Sequence, residues 1–130
     1  MVPLPLSRIL YIEDEEDIQV VTKIALETVG GFTLLVCGSG AEALKEAPEF
    51  RPQLILLDVM MPGMDGPTTL KSLRTLPGLD KTPVVFMTAK VHPSEISNFK
   101  QMGALEVIAK PFDPMKLAEK IRDIWNATHG

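Results

Sequence analysis

The sequence predicts an α/β domain, a doubly wound parallel sheet of five strands with helices on both faces. Two observations carry that expectation. Five short runs rich in Val, Ile and Leu recur with little apolar–polar alternation, the pattern of strands buried on both faces. Stretches with helical spacing lie between and after them, and such alternation joins parallel strands by right-handed crossovers.

The first run, Ile9 to Ile12, precedes a helix with an apolar stripe at Ile18, Val21, Ala25 and Val29, stopped by Gly30-Gly31. Thr33 to Cys37 is the second strand, and Gly40 to Ala47 a shorter helix ended by Pro48. Leu54 to Leu57 is the third strand. Gly66-Pro67 then opens a helix to about Leu76, since proline suits a first turn. Val84 to Met87 is the fourth strand, with Ser94 as cap of a helix ending near Gly103. Leu105 to Ala109 is the fifth. Asp113 as cap and Pro114 at the first position begin the last helix, which places Leu117, Ala118, Ile121, Ile124 and Trp125 on one face.

The totals set bounds on function. The 130 residues suit one domain with a real core, and 45% hydrophobic residues supply the material. A net charge of −4 with scattered basic residues argues against direct nucleic-acid binding. Cys37 is the single cysteine, so no internal disulfide forms; its apolar run marks it as a buried structural thiol. No stretch suits a membrane span, and Met1 to Ser7 lacks the build of a secretion signal, so a cytoplasmic location is expected. Residues 1–7 read as a short tail and 8–130 as the domain.

The chemistry lies at the strand ends. The first strand stops at Glu13-Asp14, the third at Asp58, the fourth at Thr88 and the fifth at Lys110. The carboxyl ends of a parallel sheet share one edge, where ligands bind at the reversal of strand order. Several carboxylates meeting there repel one another unless a hard divalent cation joins them. Asp14 and Asp58 suit direct ligation of Mg²⁺ or Mn²⁺, Glu13 acts directly or through water, and the Met60 backbone carbonyl completes the set. A carboxylate can also be the nucleophile that forms an aspartyl-phosphate, with the Lys110 ammonium and the Thr88 hydroxyl answering the phosphoryl oxygens.

Each residue alone has a plainer reading. An acid after a strand is often a turn or cap residue, a lone lysine a solvated charge, and a strand-end threonine a β-branched filler. The complementary set at four of five strand ends is what points to a site. Met60, Met61 and Met64 read as loop packing rather than soft-metal ligands beside hard oxygens. Cys37-Gly38-Ser39-Gly40 does not form a dinucleotide fingerprint. His92 and His129 receive no role.

These segments, Ile9 to Glu15, Leu56 to Gly66, Met87-Thr88-Ala89 and Lys110-Pro111-Phe112, resemble the response-regulator receivers of two-component signalling over about residues 8 to 127. The resemblance implies a flavodoxin-like (βα)5 fold with strand order 2-1-3-4-5. It implies Asp58 as phosphoacceptor, Glu13 and Asp14 as the Mg²⁺-holding pair, Thr88 as switch hydroxyl, Lys110 as phosphoryl contact, and a Lys110-Pro111 bond that is commonly cis. The expected donor is a sensor histidine kinase or phosphotransfer protein. The expected output is contact with a downstream protein through a face of about Ser94 to Ala127, with Phe99, Lys100, Lys116 and Lys120 as surface members. The chain is expected to be a monomer or weak dimer and a signalling switch rather than an enzyme. An aspartate-nucleophile phosphatase would usually carry a second Asp where Met60 stands, and a phosphate-free scaffold would not need the full set of site residues.

Two positions depart from the common pattern. Val107 replaces the aromatic residue often found three before the lysine, so coupling is expected to run through the loop after Thr88. Glu13 lengthens the acidic pair by one methylene where Asp-Asp is common. Met60 and Lys90, two residues past Asp58 and Thr88, are expected to overhang the pocket and hinder an attacking water.

Overall fold

The computed structural model describes residues 4–129. Strands β1 (Arg8–Ile12), β2 (Thr33–Cys37), β3 (Leu54–Asp58), β4 (Val84–Thr88) and β5 (Glu106–Ala109) pair in parallel in the order β2-β1-β3-β4-β5. Helices α1 (Glu16–Lys23), α2 (Gly40–Phe50), α3 (Gly66–Leu73), α4 (Pro93–Gln101) and α5 (Leu117–His129) alternate with them, and α1 runs on as a π-helical segment, Ile24–Val29.

Strand side chains alternate between faces, and this splits the core in two. Leu10, Ile12, Ile55, Leu57, Val84 and Phe86 pack towards α2, α3 and α4. Ile9, Tyr11, Leu54, Leu56, Val85 and Met87 pack towards α1 and α5. Every residue of β3 and β4 is buried, as befits the interior strands of a doubly wound sheet. The register pairs Ile12 with Leu57 and Asp58 with Met87, and the Glu13 N–H extends the β1–β2 ladder to the Cys37 carbonyl at 3.0 Å.

Several helix details differ from the sequence expectation. The α1 stripe holds only in part: Ala25 is buried and Ile18 half-buried, but Val21 and Val29 are exposed, and Thr22 and Leu26 are buried instead. The π-helical turn, marked by Gly30 N–H to Ala25 O at 3.1 Å, widens the helix and rotates its buried face. Helix α2 continues past Pro48 to Phe50, because Pro48 lies exposed in the last turn. Helix α3 ends at Leu73, and tighter turns, Thr75 N to Ser72 O and Leu76 N to Leu73 O, both 3.1 Å, replace its expected last residues. The α4 cap is His92 rather than Ser94: His92 Nδ1 accepts the Ser94 N–H, and Pro93 takes the first position. Asp113 caps a turn, through Met115 N at 2.9 Å, and α5 starts only at Leu117. The Lys110-Pro111 peptide is cis.

Residues 4–7, before β1, are pinned to the domain. The Gln53 side chain accepts from Ser7 N (2.7 Å) and Arg8 N (2.8 Å) and donates to Pro5 O, while Trp125 Nε1 donates to Leu4 O at 3.0 Å. Glycine at position 66 lets α3 sit against the end of β3, since a Cβ there would lie 2.7 Å from the Asp58 carbonyl oxygen.

Cys37 is fully buried, and burial, then Glu42 and Glu46, push its thiol up to about 12. About one thiol in ten thousand would be thiolate at pH 8. The native protein should therefore resist a thiol-reactive reagent and react rapidly in concentrated guanidinium chloride. Stopped native labelling followed by mass measurement checks this.

Candidate acidic site at the carboxyl edge of the sheet

Glu13 and Asp58 meet because β1 and β3 are neighbours and both residues lie just past the last β1–β3 pair, Ile12 with Leu57. Tyr11 and Glu13 are two residues apart and so point to the same face, the one covered by α1 and α5. One carboxylate oxygen each from Glu13, Asp14 and Asp58 lie within 4.8 Å of one another. Lys110 follows β5, two strands away from β3, and its long side chain spans the gap. Its ammonium donates to Glu13 Oε1 at 2.6 Å and to Asp58 Oδ1 at 3.1 Å.

Glu13 and Asp58 are both buried. Burial, and then the Glu13 carboxyl, push Asp58 from the usual 3.8 up to about 7, against the pull of Lys110. Burial alone would raise Glu13 as well, but the Lys110 ammonium and the neighbouring Asp58 carboxyl prevail and hold it below 4.5. Burial disfavours the Lys110 charge, yet the two carboxylates outweigh that and leave it raised.

Of the residues expected at this edge, Glu13, Asp14, Asp58 and Lys110 converge. Thr88 is buried at the end of β4, and its Oγ1 accepts the Lys90 N–H at 3.1 Å. Met60 touches Asp58 through its N–H, at 3.4 Å from Oδ1, and its side chain is 62% exposed. Lys90 is exposed as well. Val107 is buried in the cluster that holds Phe86 and Phe99, whose rings meet edge-on at 5.3 Å. Phe99 is therefore a core residue and not a surface member of the last third of the chain, whereas Lys100, Lys116 and Lys120 are exposed. Met61 is buried and Met64 lies against Gly40, so both serve as packing.

The donor set suits a hard cation. Glu13 Oε2 and Asp14 Oδ1 are buried and lack a hydrogen-bond partner among the described residues, and buried carboxylate oxygens are costly to leave unpaired. Carboxylates of this kind are the ordinary ligands of Mg²⁺.

Reading by strand ends did not single out Gln19, Thr22 or Tyr11. The Gln19 amide donates to the Glu13 carbonyl, and Thr22 Oγ1 donates to the Tyr11 hydroxyl. A polar residue on the sheet-facing side of a helix, and a tyrosine two before the acid, were the available signals.

The family model for the response regulator receiver domain matches residues 9–122. The chain is 36% identical over 116 residues to the DNA-binding response regulator MtrA of Mycolicibacterium paratuberculosis, covering 89% of this chain and 50% of that protein. It is 33% identical over 118 residues to the alkaline phosphatase synthesis transcriptional regulatory protein PhoP of Bacillus subtilis, covering 91% of this chain and 48% of that one. The chain thus spans about half the length of these curated relatives. Among solved structures, Vibrio cholerae chemotaxis protein CheY4 superposes with a TM-score of 0.84 at 27% identity, over 92% of this chain and 98% of that one. A putative response regulator from Chloroflexus aurantiacus gives 0.82 at 28% identity, over 95% and 99%. The chain belongs to the response regulator receiver domain family of two-component systems. Response regulators are phosphorylated by histidine kinases.

The raised Asp58 has a consequence for stability. Its folded value lies above its unfolded one, so this group stabilises the cation-free fold as pH falls from about 7 towards 3.8. Glu13, held low, opposes this only below its unfolded value of 4.5. In chelator, Asp58→Asn should raise stability near pH 7.5 by on the order of 1–3 kcal/mol and flatten the profile between about pH 5 and 7.5. Denaturant melts across that range check both.

Proposed function

We propose that this domain is a phosphorylation switch in which Asp58 accepts a phosphoryl group from a sensor histidine kinase or phosphotransfer protein. The observation that carries the reading is the buried Asp58 carboxylate, bonded to Lys110 Nζ at 3.1 Å and grouped with Glu13 and Asp14 at one edge of the sheet. In this reading the receiver runs over residues 8–130, with 1–7 as its tail.

Asp58, Asp14 and Glu13, with the Met60 backbone carbonyl, would hold Mg²⁺ or Mn²⁺. The cation when bound neutralises charge on the acids and on the phosphoryl oxygens. Asp58 attacks phosphorus with a carboxylate oxygen as the bond to the donor nitrogen breaks, and the nitrogen leaves with the electron pair. Lys110 contacts Asp58 and would meet a phosphoryl oxygen in its stead. The Thr88 hydroxyl would leave Lys90 N–H to meet another. With Val107 in place of an aromatic, the change would pass through the loop after Thr88 and alter a protein-binding face in the last third of the chain, where Lys100, Lys116 and Lys120 are exposed. The activity is the chain's own phosphoryl transfer and slow dephosphorylation, with no separate substrate turned over. Direct nucleic-acid or membrane contact forms no part of it. The DNA binding named for one relative would belong to regions outside the matched half, and a cytoplasmic setting suits a kinase partner.

Incubation with a small phosphodonor should add one phosphoryl group, read as intact mass. The gain should require Mg²⁺ and vanish in Asp58→Asn; a gain that persists in that variant would remove Asp58 from the role. A Met60→Ala, Lys90→Ala double substitution should shorten the phosphorylated lifetime about two- to tenfold by admitting water. Time courses of mass loss after donor removal decide that point.

A further inference from the structure

The hydrogen bonds around Glu13 are unequal. Oε1 accepts from two donors, the Lys110 ammonium at 2.6 Å and the Tyr11 hydroxyl at 3.3 Å. Oε2 is buried and has none among the described residues. Tyr11 cannot swing away: it is fully buried within the layer between the sheet and α1 and α5. Its hydroxyl accepts from Thr22 Oγ1 at 3.1 Å, and Thr22 is itself fully buried. A phenol that accepts one bond is left to direct its single proton elsewhere, and Glu13 Oε1 is the acceptor in reach. The Gln19 amide braces the Glu13 backbone carbonyl from the same helix, one turn earlier.

We infer that Tyr11, aligned by Thr22, is a positioning residue that fixes the rotation of the Glu13 carboxylate, so that Oε1 faces Lys110 and Oε2 is presented to the cation. The inference rests on the cation-holding role proposed above and adds to it the residues that set the ligand's geometry. The need for such a clamp follows from the length of Glu13. A glutamate has one more rotatable bond than an aspartate, and its carboxylate must be held to act as a preorganised ligand. Lys110 alone does not suffice, because it also serves Asp58 and a point-charge ammonium holds no fixed plane.

The test is direct Mg²⁺ affinity, by calorimetry on the unphosphorylated protein. Tyr11→Phe keeps the ring and deletes the hydroxyl, and should weaken Mg²⁺ binding about tenfold, the lower end for loss of a ligand-orienting bond. Thr22→Val should weaken it less, about threefold, and serves if Tyr11→Phe proves unstable. Glu13→Asp draws the carboxylate back from the phenol, so adding Tyr11→Phe to that variant should weaken binding no further. Tyr11 is the chain's one tyrosine, so Mg²⁺ should also shift the tyrosine absorption in the wild-type protein. An unchanged affinity in Tyr11→Phe, with the wild type binding Mg²⁺, would overturn the clamp alone. An equal loss on adding Tyr11→Phe to the wild type and to the Glu13→Asp variant would assign the effect to packing and also overturn it. A wild type that binds no Mg²⁺ would overturn the cation reading and the clamp with it.

Discussion

The Lys110 ammonium, lodged between Glu13 and Asp58, is the contact on which the carboxyl edge of this sheet depends. Two buried acids at the ends of adjacent strands would otherwise have to protonate, because charge is costly away from water. One cation cannot satisfy both. Glu13 keeps its charge, while Asp58 is left near 7 by burial and by its neighbour. Beside them, Glu13 Oε2 and Asp14 Oδ1 are buried and have no hydrogen-bond partner among the described residues.

The rest of the fold supplies that edge. A parallel order β2-β1-β3-β4-β5 places the ends of β1 and β3 side by side and brings β5 within one lysine length of β3. Fully buried β3 and β4 make the platform rigid. Gly66 allows α3 to close over the backbone of Asp58, where any side chain would collide with its carbonyl. The same alternation of strand side chains that divides the core into two layers also aims Tyr11 and Glu13 at one face. Core and site are therefore products of one periodicity.

The departures from the common receiver pattern have structural counterparts. Val107 packs into the layer that contains the Phe86–Phe99 edge contact, so the buried aromatic rings of that layer come from β4 and α4 rather than from β5. Glu13, longer than aspartate, is met by the Tyr11 hydroxyl, which in turn accepts from the Thr22 hydroxyl.

Much of this was legible in the chain itself. Five apolar runs marked the strands to within a residue or so, because strands buried on both faces admit little else. Acid, acid and lysine at strand ends marked the edge where Glu13, Asp14, Asp58 and Lys110 meet, since parallel strands share one carboxyl edge. Helix limits were less legible: α1 changes phase at its π-helical turn, α2 runs through Pro48, α4 is capped by His92 rather than Ser94, and α5 starts only at Leu117, past Asp113. Local preference at such ends is worth about a kilocalorie per mole and yields to packing. Phe99 read as surface and is core, because its burial depends on where Phe86 lies across the sheet. Residue type and order thus determined the sheet and the identity of its polar strand ends. Only tertiary structure decided which carboxylate keeps its charge, which oxygen of Glu13 lacks a partner among the described residues, and that Tyr11 and Thr22 stand behind it. Those outcomes depend on distances between side chains from separate strands and helices, which no local pattern encodes.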